Sequence, residues 1–250
     1  MSKKSKDTYL YFKGNLDKDF VISSMKKYIK EKQELDKFLE KIISPFIKDK
    51  KLKILDSCCG LGHISYLLSR ISPCSTFLGV DQNSYLVEKA KKIFKEEKNL
   101  SFKISDLQKL NQKYAKKFDI TINWKTLSWL PYYEEMLKAV IMVTKSNIFL
   151  SSLFYEGDID FEIKVREYKK ETGKIDFNAF YNVYSLPKFT KKCYELGVKK
   201  VEVFDFEIKK DLKRPPLNQM GTYTVMLNNG KRLQISGTVI MNWKIIRLDL

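Results

Sequence analysis

The chain is poor in the residues that carry the commonest metal and nucleophilic chemistries. Its 250 residues contain one histidine, His63. A zinc site built on several imidazoles is therefore excluded. The four cysteines, Cys58, Cys59, Cys74 and Cys193, form no C-x-x-C pair. Free thiols in a reducing cytoplasm are expected. No apolar run approaches the length of a membrane span. The basic start, Met-Ser-Lys-Lys-Ser-Lys, leads into no apolar segment, so no secretory signal is expected. No nucleophile triad is recognisable.

Arginine is scarce too. The formal net charge is +17, yet the only arginines are Arg70, Arg166, Arg214, Arg232 and Arg247. A strongly basic surface suits nucleic acid. Arginine, however, is the favoured residue for reading guanine and gripping phosphate. The lysines here are mixed with glutamates, as in Glu88-Lys89-Ala90-Lys91-Lys92, a pattern of solvated helix faces. Nucleic acid is thus the less favoured partner.

What is present suits one well-packed domain. Hydrophobic residues make up 44% and charged residues 31% of a chain long enough to bury a single good core. The organising stretch is Leu52-Lys53-Ile54-Leu55-Asp56-Ser57-Cys58-Cys59-Gly60-Leu61-Gly62-His63. It opens as a buried strand and turns through the glycines. Ile64, Leu67 and Leu68 then recur at helical spacing. Strand, glycine turn and helix open a nucleotide-binding βαβ unit. Asp81 closes the next apolar run about 20 residues on, where a carboxylate can accept both hydrogens of a ribose diol. A dinucleotide site would want Gly or Ala three residues past Gly62, and Ser65 stands there. Asp56, before the glycines, would repel a pyrophosphate and welcome a cationic ligand.

Here the chain resembles the class I S-adenosylmethionine-dependent methyltransferases, whose first motif is Asp/Glu-x-Gly-x-Gly-x-Gly. Residues Asp56–Gly62 fit at all positions but Cys58, which is tolerable where the backbone keeps a negative φ. The resemblance covers Leu52–Leu153 well and the rest loosely. It implies a Rossmann-like α/β fold: a mostly parallel seven-stranded sheet with helices on both faces, plus an added C-terminal hairpin. It implies S-adenosylmethionine as cofactor, with Asp81 on the ribose hydroxyls and Gly60 and Gly62 beside the methionine part. Asp106 and Leu107 would meet the adenine, and Asn123 would lie near the transferred methyl. Asp56, Cys58 and Gln82 complete the expected cofactor set. A loop aspartate that merely caps a turn is an equal reading for Asp106.

Residues 1–50 are expected to form a helical arm or lid, and 51–250 the methyltransferase domain. Leu35, Phe38, Leu39, Ile42, Ile43 and Phe46 define one apolar helix face, which Pro45 should kink or end. Gln82-Asn83-Ser84 caps a helix over Tyr85–Glu96. Strands are expected over Leu100–Ile104, Phe118–Asn123, Asn147–Leu153 and Val201–Ile208. Pro131 suits the first turn of a helix, and another helix should begin at Pro187. Residues 154–184 read as a substrate-side insertion. In 217–250, Asn228-Asn229-Gly230 marks a hairpin, followed by a closing strand over Val239–Leu248.

Trp124, Tyr155 and Tyr184 are the expected substrate contacts, and Trp129 is expected in the core. His63 is either a base or simply a helix-start residue beside the cofactor, the second being preferred. The Asn/Asp-Pro-Pro-aromatic signature of amine methylation in DNA is absent after the fourth strand. So is a cysteine placed for cytosine C5 attack. The leading expectation is O-methylation of a small, nucleotide-linked or carrier-linked metabolite, such as a sugar of surface-polysaccharide biosynthesis, in the cytoplasm. The alternatives are an RNA methyltransferase, an NAD-dependent reductase and a non-catalytic binding protein.

Overall fold

A computed structural model describes residues 29–106, 114–169, 171–215 and 221–250, together with Ser23, Lys26 and Lys27. Expectations placed on the first 22 residues, on Tyr28 and on Leu107 fall outside the described residues.

Helix α1 (Glu34–Ile47) precedes β1 (Lys53–Ser57), α2 (His63–Ile71), β2 (Thr76–Asp81), α3 (Ser84–Ile93) and β3 (Leu100–Ile104). After β4 (Phe118–Asn123) come α4 (Glu134–Val143) and β5 (Thr144–Tyr155). A hairpin, β6 (Lys164–Tyr168) and β7 (Ile175–Phe180), and a short β8 (Tyr184–Ser185) lead to α5 (Leu186–Glu195) and β9 (Lys200–Asp205). The remaining strands are β10 (Thr222–Met226), β11 (Arg232–Ser236), β12 (Val239–Ile240) and β13 (Trp243–Asp249).

The large sheet runs β3-β2-β1-β4-β5-β13-β9, with β8 paired to β5. Strands β3, β2, β1, β4 and β5 are parallel, and β13 enters antiparallel between β5 and β9. Successive β1 residues face opposite layers. Ile54 joins the core beneath α1 and α2, whereas Leu55 joins the core beneath α4 and α5. Both are fully buried, as a central parallel strand requires.

Several boundaries differ from the sequence reading. Pro131 stands three residues before α4, in a bend after a 3-10 turn at Leu127–Trp129. Strand β5 is longer than expected at both ends, because Thr144 pairs with Phe118 of β4 and Phe154 and Tyr155 pair with β8. The closing segment is split into β12 and β13, and β12 belongs to a separate three-stranded sheet with β10 and β11.

Two glycines carry close packing. Gly62 has φ 77°, and a Cβ there would lie 2.3 Å from Cε1 of Phe102. Gly79, inside β2, would place a Cβ 2.6 Å from the same ring and 2.9 Å from Cys59 Sγ. Phe102 therefore presses the turn against the β2–β3 edge. Gly62→Ala is expected to cost about 2–4 kcal/mol, from overpacking plus the left-handed conformation. In a Phe102→Leu background, urea unfolding should show a smaller penalty for the same change.

Candidate functional site

The turn after β1 is built by a chain of polar contacts. Cys59 N–H donates to Val80 O (3.0 Å), and Gly60 N–H donates to Asp81 Oδ2 (2.9 Å). Asn83 N–H donates to Asp81 Oδ1 (2.9 Å), while the Asn83 side chain accepts from Leu86 N and caps α3. Asp81 thus links turn, strand and helix. Its carboxylate keeps further lone pairs for a ligand, since an ionised carboxylate offers about four acceptor sites. Burial outweighs the backbone N–H groups and holds its pKa above the usual carboxylate value.

Asp56 is 1% exposed and accepts from Ser65 Oγ (2.7 Å) and Ser65 N–H (3.2 Å). Ser65 thus has a positive reason to occupy its place. It lets the β1 carboxylate cap the first turn of α2, whose own N-cap, Gly62, has no side chain to do so. Burial pushes the Asp56 pKa up to about 7, with the Asp81 charge adding to the rise and the Ser65 contacts opposing it. A buried acid in that state is stabilised by a nearby cation.

These groups open onto a cavity of about 730 Å³, a size suited to small ligands. One half is framed by Asp56, Cys58, Gly60, Asp81, Gln82 and Asp106, all expected cofactor residues. Others differ from the expectation in conformation or position. Cys58 has φ 59°, not the negative value expected, because the turn needs a left-handed residue there. That costs about 1–2 kcal/mol for a side chain with a Cβ. Gly62 is taken up by packing on Phe102 and does not border the cavity. Asn123 is fully buried beneath it, and its Nδ2 donates to Ser57 Oγ (3.0 Å).

The substrate expectations divide similarly. Trp124 borders the cavity. Tyr155 does not; its ring packs edge-on against Phe161, 5.4 Å between centroids. Tyr184 is buried away from the cavity against Tyr133, with its hydroxyl on Leu130 O. Trp129, expected in the core, reaches the cavity and packs against Tyr181, 4.9 Å between centroids.

Sequence reasoning missed a buried polar group formed by α1 and the β4 end. Asp36 is 1% exposed, and its Oδ1 accepts from Trp124 Nε1 (3.0 Å). Lys125 Nζ lies 3.7 Å from the same oxygen and donates to Gln33 Oε1. His63 Nε2 is 4.0 Å from Asp36 Oδ2. The signal was present: Asp36, Leu39, Ile43 and Ile47 share one buried face at spacings of three and four. The polar β11 residues Gln234 and Ser236 were also missed, because alternation alone would turn Leu233 and Ile235 inward.

His63 borders the cavity as the first residue of α2. Burial lowers its pKa to about 4, Asp36 opposing the fall and Lys125 adding to it. Among the described residues no group of three or more His, Cys, Asp or Glu is arranged for a metal ion, and no helix is long and apolar enough to cross a membrane.

A doubly wound sheet with a carboxylate-lined glycine turn at the carboxyl ends of its strands defines a class I nucleotide-cofactor site. The sequence model of the family described as "Methyltransferase domain" matches residues 48–212, and the chain belongs to that family, the class I S-adenosylmethionine-dependent methyltransferases. Protein 235L of Invertebrate iridescent virus 6, whose name calls it a methyltransferase, is 30% identical over 77 residues. That match spans 31% of this chain and 27% of the viral protein. The YcgJ protein of Bacillus subtilis superposes with a TM-score of 0.56 at 13% identity, over 84% of this chain and 97% of YcgJ. The N-terminal domain of EvdMO1, crystallised in the presence of S-adenosylhomocysteine and D-fucose, gives a TM-score of 0.59 at 14% identity, over 88% of this chain and 84% of that one. Both likenesses are of fold.

Because the chain has a single histidine, its imidazole signals are assigned without ambiguity. NMR titration should place the His63 midpoint near 4. The unfolded state binds the proton from about pH 6.5 downward. The His63 contribution is therefore complete above pH 6.5 and lost as pH falls towards 4, amounting to at most about 3 kcal/mol. His63→Gln should flatten the thermal-stability profile across that interval.

Proposed function

We propose that the protein transfers a methyl group from S-adenosylmethionine to an oxygen of a small, nucleotide-linked or carrier-linked metabolite, with a sugar of surface-polysaccharide biosynthesis as the favoured class. The observation that carries this reading is the continuity of the cavity. The glycine turn and Asp81 frame one half, and Trp129, Tyr181 and the β11 polar face close the other. The residues fit the donor. Asp56 is a buried acid whose raised pKa falls when a cation arrives, and Asp81 keeps acceptor capacity at the rim. Gly60, at φ 56°, leaves backbone approach open.

When bound, the donor supplies an activated methyl on a sulfonium. The chain's task is then alignment and exclusion of water, which lowers a barrier by up to ~7–11 kcal/mol. In this reading Asp81 takes the ribose hydroxyls and Asp106 the adenine edge. Asp56 and the Cys58–Gly60 backbone hold the methionine part. Residues 1–50 act as the lid, and 154–184 and 217–250 form the substrate side. The Trp129 and Tyr181 rings, tilted by 56° to each other, suit the apolar face of a sugar, a fit to which the D-fucose present with EvdMO1 lends support.

Asp81→Ala should weaken S-adenosylhomocysteine binding at least tenfold by calorimetry while the fold is retained. Asp56→Asn separates two roles. The folded carboxyl holds its proton up to about pH 7, so burying it destabilises increasingly as pH rises from about 3.8. At pH 8 the variant should therefore melt several degrees higher and yet bind the donor more weakly than the parent. Labelled S-adenosylmethionine with fractionated cell extract tests the acceptor class: label in the small-molecule fraction supports the proposal, and label in RNA replaces it.

A further inference from the structure

The acceptor half of the cavity carries two features that cofactor binding leaves unused. The first is Lys125, the second residue past β4, at the carboxyl end of the sheet. Its backbone has φ 56°, a left-handed conformation that a lysine adopts at a cost of about 1–2 kcal/mol. The conformation is held by its own N–H, which donates to Ser151 Oγ at 2.9 Å. Strain of this kind collects at functional sites. Its side chain borders the cavity and is 30% exposed. The ammonium has three donors. One goes to Gln33 Oε1; Asp36 Oδ1, at 3.7 Å, pairs with the ammonium as an ion pair and itself accepts from Trp124, which leaves donors of the ammonium for a ligand.

The second feature is the inverted face of β11. Gln234 and Ser236 are each 4% exposed, whereas Leu233 on the other face is 36% exposed. Ser236 Oγ pairs with Thr222 Oγ1 at 2.7 Å, but Gln234 Oε1 is buried at the cavity with no hydrogen-bond partner among the described residues. An unpaired buried amide oxygen costs roughly 1–3 kcal/mol, which a ligand donor would relieve. A hairpin that buries its polar side and exposes its apolar side is shaped for a ligand rather than for a core.

We infer that Lys125 and Gln234 together form the acceptor subsite, that Lys125 holds an anionic oxygen as the methyl-accepting atom, and that Gln234 takes a hydroxyl or N–H on the same ring-shaped molecule. The substrate class is accordingly a ring compound carrying a carboxylate or phenolate. The inference rests on the methyl-transfer reading above. Electrostatics favour it: a bound sulfonium donor would add a positive charge to a cavity that Lys125 already borders, and an anionic oxygen would be attracted by both. The anionic oxygen forms the O–C bond as the S–C bond breaks, the electron pair passes to sulfur, and no proton has to leave. This accounts for a cavity in which the lone imidazole is held neutral and turned towards Asp36. Burial depresses the Lys125 pKa, Asp36 opposes the fall, and a bound anion would oppose it further.

The test uses the full chain saturated with S-adenosylhomocysteine and two probe pairs that differ in charge: D-glucuronate against D-glucose, and 4-nitrophenolate against 4-nitroanisole. Affinities are read by ligand-observed NMR at pH 8. The expected result is that the anion of at least one pair binds tenfold or more tightly than its neutral partner. The pair that responds separates carboxylate from phenolate. Lys125→Gln, which can keep an amide contact to Gln33, should abolish the preference, and Lys125→Arg should retain it. Gln234→Leu should weaken the preferred anion several-fold without changing S-adenosylhomocysteine affinity. Equal binding within both pairs, no binding of any probe, or a preference that survives Lys125→Gln overturns the inference. Should Lys125→Gln not fold, the wild-type comparison alone decides. Failure of the wild-type protein to bind S-adenosylhomocysteine would instead overturn the methyl-transfer reading.

Discussion

The hydrogen bonds between Asp56 and Ser65 hold the centre of this molecule. A carboxylate at the end of the middle parallel strand is fully enclosed, and the first turn of the next helix donates to it. The contact sets the angle between β1 and α2 and so fixes the glycine turn between them. Asp81, one strand over, then needs only the Gly60 N–H to complete the rim. Burying a carboxylate this deeply is costly unless it is well paired. The cost is accepted where the strands' carboxyl ends meet a ligand, and nowhere else along β1.

The sheet and the cofactor rim could be read from the chain because their signals are local. A five-residue apolar run, two glycines and a carboxylate at a set distance follow directly from strand length and turn geometry. The acceptor side was far less legible. Tyr155 and Tyr184 looked like substrate contacts by composition, yet both went into ring packing, with Phe161 and Tyr133. Trp129 looked like core and became cavity wall. Nothing local distinguishes these fates, since an aromatic ring buries equally well against a ligand or a neighbour. The Asp36–Trp124 contact joins residues 88 positions apart. Half of that pair showed in the helical spacing around Asp36, but its partner could be found only in three dimensions. Gln234 was hidden by the alternation rule itself, because β11 turns its polar side inward.

The cavity is assembled from three separated parts of the chain. The turn after β1 and the ends of β2 and β4 belong to the common sheet, Gln33, Glu34 and Leu35 come from the start of α1, and the later strands and their flanks contribute Tyr181 and Gln234. The family match ends at residue 212, before β10 and β11 begin. The glycine turn, Lys125, Trp129 and Tyr181 therefore lie inside the matched region, and the β11 residues Gln234 and Ser236 lie outside it. Fold likeness at 13–14% identity shows the sheet and its helices and leaves the lining of the cavity to this chain's own residues.

The placement of β13 has a bearing on how the chain reaches its native state. Residues 243–249 occupy an interior lane of the sheet, with β5 on one flank and β9 on the other. During synthesis β9 emerges well before β13, its partner in that sheet among the described residues, and it must wait as an edge. The sheet is closed from the inside by β13, a strand made after both of its neighbours. Chaperone occupancy in that interval, more than intrinsic helix or strand preference, would govern the yield of folded protein.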